Sequence, residues 1–353
     1  MGKYFINGIG CVSAQETSDT EKGFQDFEEL KENVVSLQKP DYKKHIQPSM
    51  IRRMSVGVKM GVVASSIALQ EAEIKIPEAI ITGSGMGCLR DSEKFLKNIV
   101  DNDEQFLTPT AFIQSTHNTV GAQIALGLGC KNYNVTYVHD ATSFETSLID
   151  AMMMMDEGEQ NILVGGVDEI GPYTADLHNL IGHVKSEESL EKGILNSNSK
   201  GAVYSEGAQF FVLEDNKNAQ SYAQLVDVAT YNVLSENEVS EKIKDFLKDN
   251  NLTVSEIDLV VLGKNGDVDY DTYYSTLQNG IFKNTSQIYY KHFSGEYNTV
   301  SAFGMWTACK LLKEQKIPKN LHLNSIKTIS IKNVLLYNQY RGKNHSFVLL
   351  KSC

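Results

Sequence analysis

Short apolar runs alternate along the chain with longer stretches in which apolar and small residues recur at helical spacing. Residues 3–10 (KYFINGIG) predict a strand, 54–72 (MSVGVKMGVVASSIALQEA) a helix and 79–85 (AIITGSG) a second strand. A helix over 119–129, a strand over 134–140 and a helix over 144–158 follow, and strands at 161–170 and 208–215 close the first part. The second part alternates in the same way. It predicts a strand at 224–234, a helix near 236–249, a strand at 258–264 and a helix near 270–282. A strand at 287–293, a helix at 299–315 and strands at 328–338 and 345–352 complete it. Apolar strands alternating with helices predict mostly parallel sheets covered by helices on both faces. The helix at 54–72 carries Gly57, Gly61, Ala64, Ser65, Ser66 and Ala68. Side chains this small let backbones approach closely and predict a helix buried between layers.

Three ordered correspondences suggest duplication. Asn-Thr-Val stands at 118–120 and again at 298–300, Gly83 and Gly263 each follow an apolar strand, and both parts close on an apolar strand after a glycine-containing turn. The expected division is 1–215 and 216–353, with a long insertion at about 171–205 in the first half. The polar run Asp215-Asn216-Lys217-Asn218 marks the break.

Composition narrows the function classes. A chain of 353 residues with 41% hydrophobic and 22% charged content supports two core-sized halves. No apolar run reaches the roughly 18–20 residues of a membrane helix. The opening MGKYFINGIGCVSA lacks a cationic segment before an apolar one, so no signal peptide is expected. Five scattered cysteines (Cys11, Cys88, Cys130, Cys309, Cys353) do not form a disulfide framework and fit a reducing, cytoplasmic setting. There is no CxxC pair and no HExxH helix, so neither a metal nor another cofactor is expected. A net charge of −11 without a basic–aromatic cluster argues against nucleic acid. It would also repel an acidic partner unless a local basic patch intervened. Ile51-Arg52-Arg53 and Lys43–Lys44 are the early candidates for such a patch, against the plainer reading of a solvated face.

Several segments, in order along nearly the whole chain, resemble the β-ketoacyl-[acyl-carrier-protein] synthase family, of thiolase fold. FINGIGCVSA resembles its ITGxGxxS opening, 109–132 (PTAFIQSTHNTVGAQIALGLGCKN) the segment before its nucleophile, and NILVGGVDEI its AxxGGxE strand. KGAVYSEGAQFFVLED resembles the GEGA closure, KHFSGEYNTVSAFG the KxxxGHxxGAxG segment, and YNQYRGKNHSFVLL the terminal NxFGFGGxNxxxVL. The resemblance implies a duplicated α/β fold, two mixed, mostly parallel sheets layered with helices (αβαβα).

Active members load an acyl group on a cysteine at a helix N-terminus, where the dipole favours thiolate. Two histidines then assist decarboxylation of the malonyl unit and stabilise the enolate oxygen. Here the cysteine position falls on Ala141, if Gly158 and the Thr-Ser pair set the register, or on Thr142, if the preceding small residue does. The first histidine position falls on Asn265 of Gly263-Lys264-Asn265-Gly266-Asp267, and the second on Glu296 of Gly295-Glu296. The family lysine matches Lys291, a supporting aspartate matches Asp271, and the gatekeeping Phe-Gly turn becomes Gln339-Tyr340-Arg341-Gly342. The candidate pocket is therefore Ala141, Thr142, Ser143, Asn265, Asp271, Lys291, Glu296 and Tyr340, with no residue assigned a catalytic role.

The plainer reading makes Lys291, Glu296 and Asn265 a buried polar network. It makes Thr142 or Ser143 a helix cap, and the Met152–Met155 run and Cys88 packed core. His117, Phe112 and Tyr297 are pocket or interface candidates without a chemical assignment. The resemblance implies a non-condensing subunit of fatty acid, polyketide or aryl-polyene-type pigment synthesis. Like a chain-length factor, it would dimerise with a catalytic ketosynthase, or with itself, and meet an acyl carrier protein. Two alternatives stand beside this: an acyl-transferring or decarboxylating enzyme with an altered site, and a homodimeric protein binding an acyl chain or carrier.

Overall fold

The computed structural model describes residues 3–18 and 23–353. The first half runs β1 (Tyr4–Val12), α1 (Pro48–Ile51), α2 (Val56–Glu71), β2 (Ala79–Gly83), α3 (Leu89–Asp101), α4 (Pro109–Ser115), α5 (Thr119–Leu128), β3 (Tyr133–Tyr137), α6 (Ser143–Glu157), β4 (Asn161–Asp168), α7 (Pro172–Leu180), α8 (Glu187–Leu190) and β5 (Gly207–Glu214). The second runs β6 (Ala223–Val233), α9 (Glu236–Asp249), β7 (Leu259–Leu262), α10 (Thr272–Asn279), β8 (Ser286–Tyr289), α11 (Lys291–Ser294), α12 (Ser301–Glu314), β9 (Asn333–Tyr340) and β10 (Lys343–Lys351).

Among the described residues the strands are ordered β3-β2-β4-β5-β1-β6-β10-β9-β7-β8. Counting the strands of each half from one, and reading each sheet inward from its free edge, gives the order 3-2-4-5-1 twice. The two five-stranded sheets are joined where Tyr4–Ile6 pairs with Ala223–Leu225. The parallel pairings are those of β2 with β3 and β4 and of β7 with β8 and β9. The other five pairings are antiparallel, so each sheet is mixed with its parallel part at the outer end. Connection length explains part of this difference from the expected, mostly parallel sheets. β9 and β10 are joined through Arg341 and Gly342, both left-handed (φ 52° and 73°), and so short a turn returns the chain antiparallel.

Alternation along the strands sends side chains to opposite layers. Ile81, Ile162 and Val164 face a central core with Phe144 and Leu148 of α6 and Phe303 and Ala308 of α12. Ile80 and Leu163 face the outer helices α2 and α5. In the second half Val260 and Leu335 pack under α9 and α10. The result is five layers, with α6 and α12 between the sheets.

The small-residue helix α2 occupies an outer layer rather than a central one. Its alanines serve closeness. A Cβ on Gly8 would stand 2.0 Å from the Ala68 carbonyl oxygen, and one on Gly10 1.9 Å from that of Ala64. The Asn-Thr-Val identity also changes meaning. The first copy opens α5, between the second and third strands of its half, and the other opens α12, between the third and fourth. These places are not equivalent; Gly83 and Gly263, which follow β2 and β7, are. The helices α3, α4 and α7 go beyond the elements expected from the pattern, and their apolar stripes are left partly exposed.

This packing generates a paired prediction. Gly10→Ala should destabilise the protein by about 3 kcal/mol or more in urea unfolding, because a backbone carbonyl must move. Gly127→Ala, where a Cβ meets nothing within 4 Å, should stabilise it by roughly 0.5–1 kcal/mol through helix propensity.

Candidate functional site

The parallel strands point their C-terminal ends at one edge of each sheet, and the candidate residues leave from there. After β8 the chain makes the short helix α11 and turns back at Gly295, which has φ 68°. A Cβ on Gly295 would stand 2.5 Å from Cβ of Ser205, so both the turn and its packing need glycine. This turn brings Glu296 over Lys291. The lysine Nζ donates to Glu296 Oε1 at 2.9 Å and to Oε2 at 2.8 Å. Both residues are buried, Lys291 1% and Glu296 2% exposed.

The loop after β7 completes the carboxylate's shell. Asn265 Nδ2 donates to Glu296 Oε2 at 2.6 Å, while Asn265 Oδ1 accepts from the Asp267 amide at 3.1 Å. Asp271 holds this loop in place by accepting from the amides of Asn265 (3.3 Å) and Gly266 (3.0 Å). Burial pushes the Asp271 carboxyl up to about 6, against the pull of Lys264. Lys291, Glu296 and Asn265 thus form one connected network, and Asp271 joins it through the backbone of the Asn265 loop. Glu296 accepts a hydrogen bond at both carboxylate oxygens.

Tyr340 stands over this network through its hydroxyl contact with Tyr204 (3.0 Å), which in turn packs on the His178 ring at 4.9 Å. A cavity of about 30 Å3 remains beside Glu296, bordered by Met86, Asp168, His178, Tyr204 and Asn298. It has room for about one water molecule.

The turn from β3 into α6 is the place of the expected nucleophile. Ala141 is buried there, with 1% exposure. Thr142 and Ser143 do not cap α6 with their side chains. Thr142 Oγ1 donates to the His139 carbonyl at 2.9 Å, and Ser143 Oγ donates to the Asp140 carbonyl at 2.7 Å while accepting the His139 amide at 2.9 Å. Both hydroxyls are used on the turn itself. The residue under backbone strain is Asp140, with φ 51° at the strand-to-helix elbow. Its exposed carboxylate accepts from Asn298 Nδ2 and from Asn344 Nδ2, the latter at 2.8 Å. Asp140 was not among the sequence candidates, because side-chain matching cannot register a left-handed backbone.

Behind the elbow, Glu145 lies fully buried in the first turn of α6. Ser346 Oγ donates to its Oε1 at 2.7 Å, and its Oε2 lacks a partner among the described residues. Burial raises this carboxyl above its ordinary value, more than Ser346 and the Lys291 charge lower it.

The remaining sequence candidates separate. Cys88 is packed, accepts from Ser55 Oγ at 3.1 Å and is pushed up to about 12 by burial and by Glu169. Tyr297 is buried and donates to Gln209 Oε1 at 3.0 Å. Phe112 is exposed on α4, against Phe95. His117 is half-buried beside Gly87. Met152, Met154 and Met155 lie against the central core and Met153 faces out. Neither a three-ligand cluster of His, Cys, Asp and Glu nor a helix long and apolar enough to cross a membrane occurs among the described residues.

Residues 26–179 match the family model of the beta-ketoacyl synthase N-terminal domain. The match lies within the first half of the chain. Solved structures similar to the whole chain place it in the thiolase-like ketosynthase fold. The ishigamide ketosynthase/chain length factor has a TM-score of 0.80 at 16% identity, covering 100% of this chain and 99% of that one. A beta-ketoacyl synthase from Burkholderia phymatum has a TM-score of 0.77 at 16% identity, with both chains covered in full. A type II polyketide ketosynthase in complex with its acyl-carrier protein (AntDE:AntF) has a TM-score of 0.76 at 14% identity, again with full coverage. No curated protein matches the sequence.

The ketosynthase fold is thus kept around a site filled by its own ion pair. Lys291→Met should cost about 3–5 kcal/mol in urea unfolding by leaving a buried carboxylate unpaired, and K291M/E296Q should recover most of that loss. Glu145→Gln tests the buried carboxyl. A raised folded-state pKa stabilises the protein below the ordinary glutamate value and loses that contribution as pH rises through the raised value. The stability of E145Q relative to wild type should therefore grow from acid to neutral pH. A flat difference would contradict the assignment.

Proposed function

We propose that this chain is a non-condensing, chain-length-factor-like subunit of fatty acyl or polyketide synthesis that pairs with a thiol-bearing ketosynthase. The observation that carries the reading is the self-satisfied network of Lys291, Glu296 and Asn265 at the positions matched to the family's lysine and histidines. Condensation needs a thiolate to hold the acyl group and neutral donors to stabilise an enolate. Here the elbow bears Asp140, Ala141 and Thr142, and a carboxylate engaged by lysine stands where the second histidine would act. The scaffold meanwhile spans the full length of its structural neighbours.

The free edge of β3 supports a partner. β3 is terminal in the sheet order, and its sequence Tyr-Asn-Val-Thr-Tyr has neither charge nor proline to protect the edge. Leu126 of α5, Val138 just after β3 and Met153 of α6 lie exposed, and α5 and α6 both contact β3. A second subunit of the same fold, offering its own edge, would extend the sheet across a pseudo-twofold axis. The division into halves at 215–216 leaves this edge entirely within the first.

An acyl carrier protein fits the same end of the molecule as the site. β1 runs parallel to β4, so the segment between β1 and α2 emerges at the C-terminal ends of β2, β3 and β4. Lys43, Lys44, Arg52 and Arg53 lie on that segment, and none is in a salt bridge among the described residues. They would offset the net charge of −11 locally for an acidic carrier.

Co-expression with a cysteine-bearing ketosynthase from the same genome should give a one-to-one complex in native mass spectrometry, and the pair should make a product of different length from the ketosynthase alone. Leu126→Arg should weaken that complex at least about tenfold in Kd, as expected for a charge placed in an apolar contact. Arg52→Glu/Arg53→Glu should leave the complex intact and weaken carrier binding. A ketosynthase with full activity and unchanged product length on its own would overturn the proposal.

A further inference from the structure

The strained elbow offers an inference that does not depend on a partner subunit. We propose that Asp140, at the point from which a nucleophile would act, is a latch that ties the first half to two loops of the second, those after Glu296 and after Tyr340, and holds them against the groove beside Glu296.

Four observations converge on this. Asp140 holds a left-handed backbone (φ 51°), which aspartate tolerates better than most residues and which turns its carboxylate out of the elbow's own hydrogen bonding toward the second half. Both carboxylate oxygens are held by amide donors from the other half, Asn298 and Asn344, 158 and 204 residues away along the chain. Asn298 is itself wedged. A Cβ on Gly85 would stand 2.4 Å from its Cβ, so the loop after β2 leaves space for Asn298 between Gly85 and Asp140. Asn344 is left-handed as well, with φ 51°, and follows the tight turn at Arg341–Gly342.

The latched loops are those that carry the network. Asn298 lies two residues after Glu296, and Asn344 four residues after Tyr340, whose hydroxyl meets Tyr204 over the cavity. The turn is pinned at a further point, where Arg341 reaches Asp267 at 3.6 Å. An anion that accepts two amide hydrogen bonds from loops distant in sequence resists their separation more than a neutral contact would. The groove beside Glu296, bordered by Asn298, holds about 30 Å3. A phosphopantetheine-linked acyl chain needs several times that.

Hydrogen–deuterium exchange on the full chain tests the latch. Asp140→Ala should raise the exchange of segments 296–300 and 340–345 about tenfold or more, with core strands such as β4 unchanged. Asn344→Asp, which sets two carboxylates against each other, should do the same. The decisive variant is the exchange D140N/N344D. Here the amide and the carboxylate trade places, Asn298 still finds an acceptor, and protection of both loops should return to within about twofold of wild type. Labelling of an Ala141→Cys reporter by a pantetheine-sized maleimide should follow the same order, slow with Asp140 present and fast in D140A/A141C. Unchanged exchange in both single variants would overturn the proposal, as would failure of the swap to restore protection. If Asp140→Ala does not fold, N344D and the swap carry the same decision.

Discussion

A single buried ion pair organises the functional end of this molecule. Lys291 and Glu296 are five residues apart, both almost wholly removed from water, and bonded through both carboxylate oxygens. Two such charges tolerate burial only when each is neutralised and hydrogen bonded. That requirement fixes what surrounds them. Gly295 must turn tightly, Asn265 must offer its amide, and Asp271 must hold the loop from which Asn265 projects. The side chains of Lys291 and Asn265 are thus committed to satisfying a charge.

The same constraint separates scaffold from chemistry. The repeated strand order and the central helices α6 and α12 depend on apolar layers that make no use of the network. The elbow into α6 has its strain located on Asp140 rather than on a sulfur residue.

Much of the fold was legible because strand alternation and the small residues of α2 are direct consequences of packing. Gly8 and Gly10 face the backbone carbonyls of Ala68 and Ala64 so closely that no side chain fits at either glycine. One piece of the duplication argument was a coincidence: the two Asn-Thr-Val segments open helices at different points of the two halves. The strand order carries the duplication instead, and no three-residue identity reports strand order. Lys291, Glu296 and Asn265 were brought together in the sequence by the family resemblance, which matched them to one site, rather than by composition or periodicity. Asp140 was not readable, because its role arises from a backbone angle and from two asparagines distant along the chain, 158 and 204 residues away. The helices α3, α4 and α7 were missed for a related reason. Their apolar faces are partly exposed, so the pattern that marks a buried helix is diluted.

The central claim is that this ketosynthase scaffold cannot hold an acyl group covalently at its elbow. Intact-protein mass spectrometry after incubation with excess acyl-carrier thioester tests it directly. The account predicts an unchanged mass for the wild-type chain beside full acylation of an active ketosynthase treated alike. A stoichiometric gain of one acyl group, mapped to residues 139–143, would contradict it.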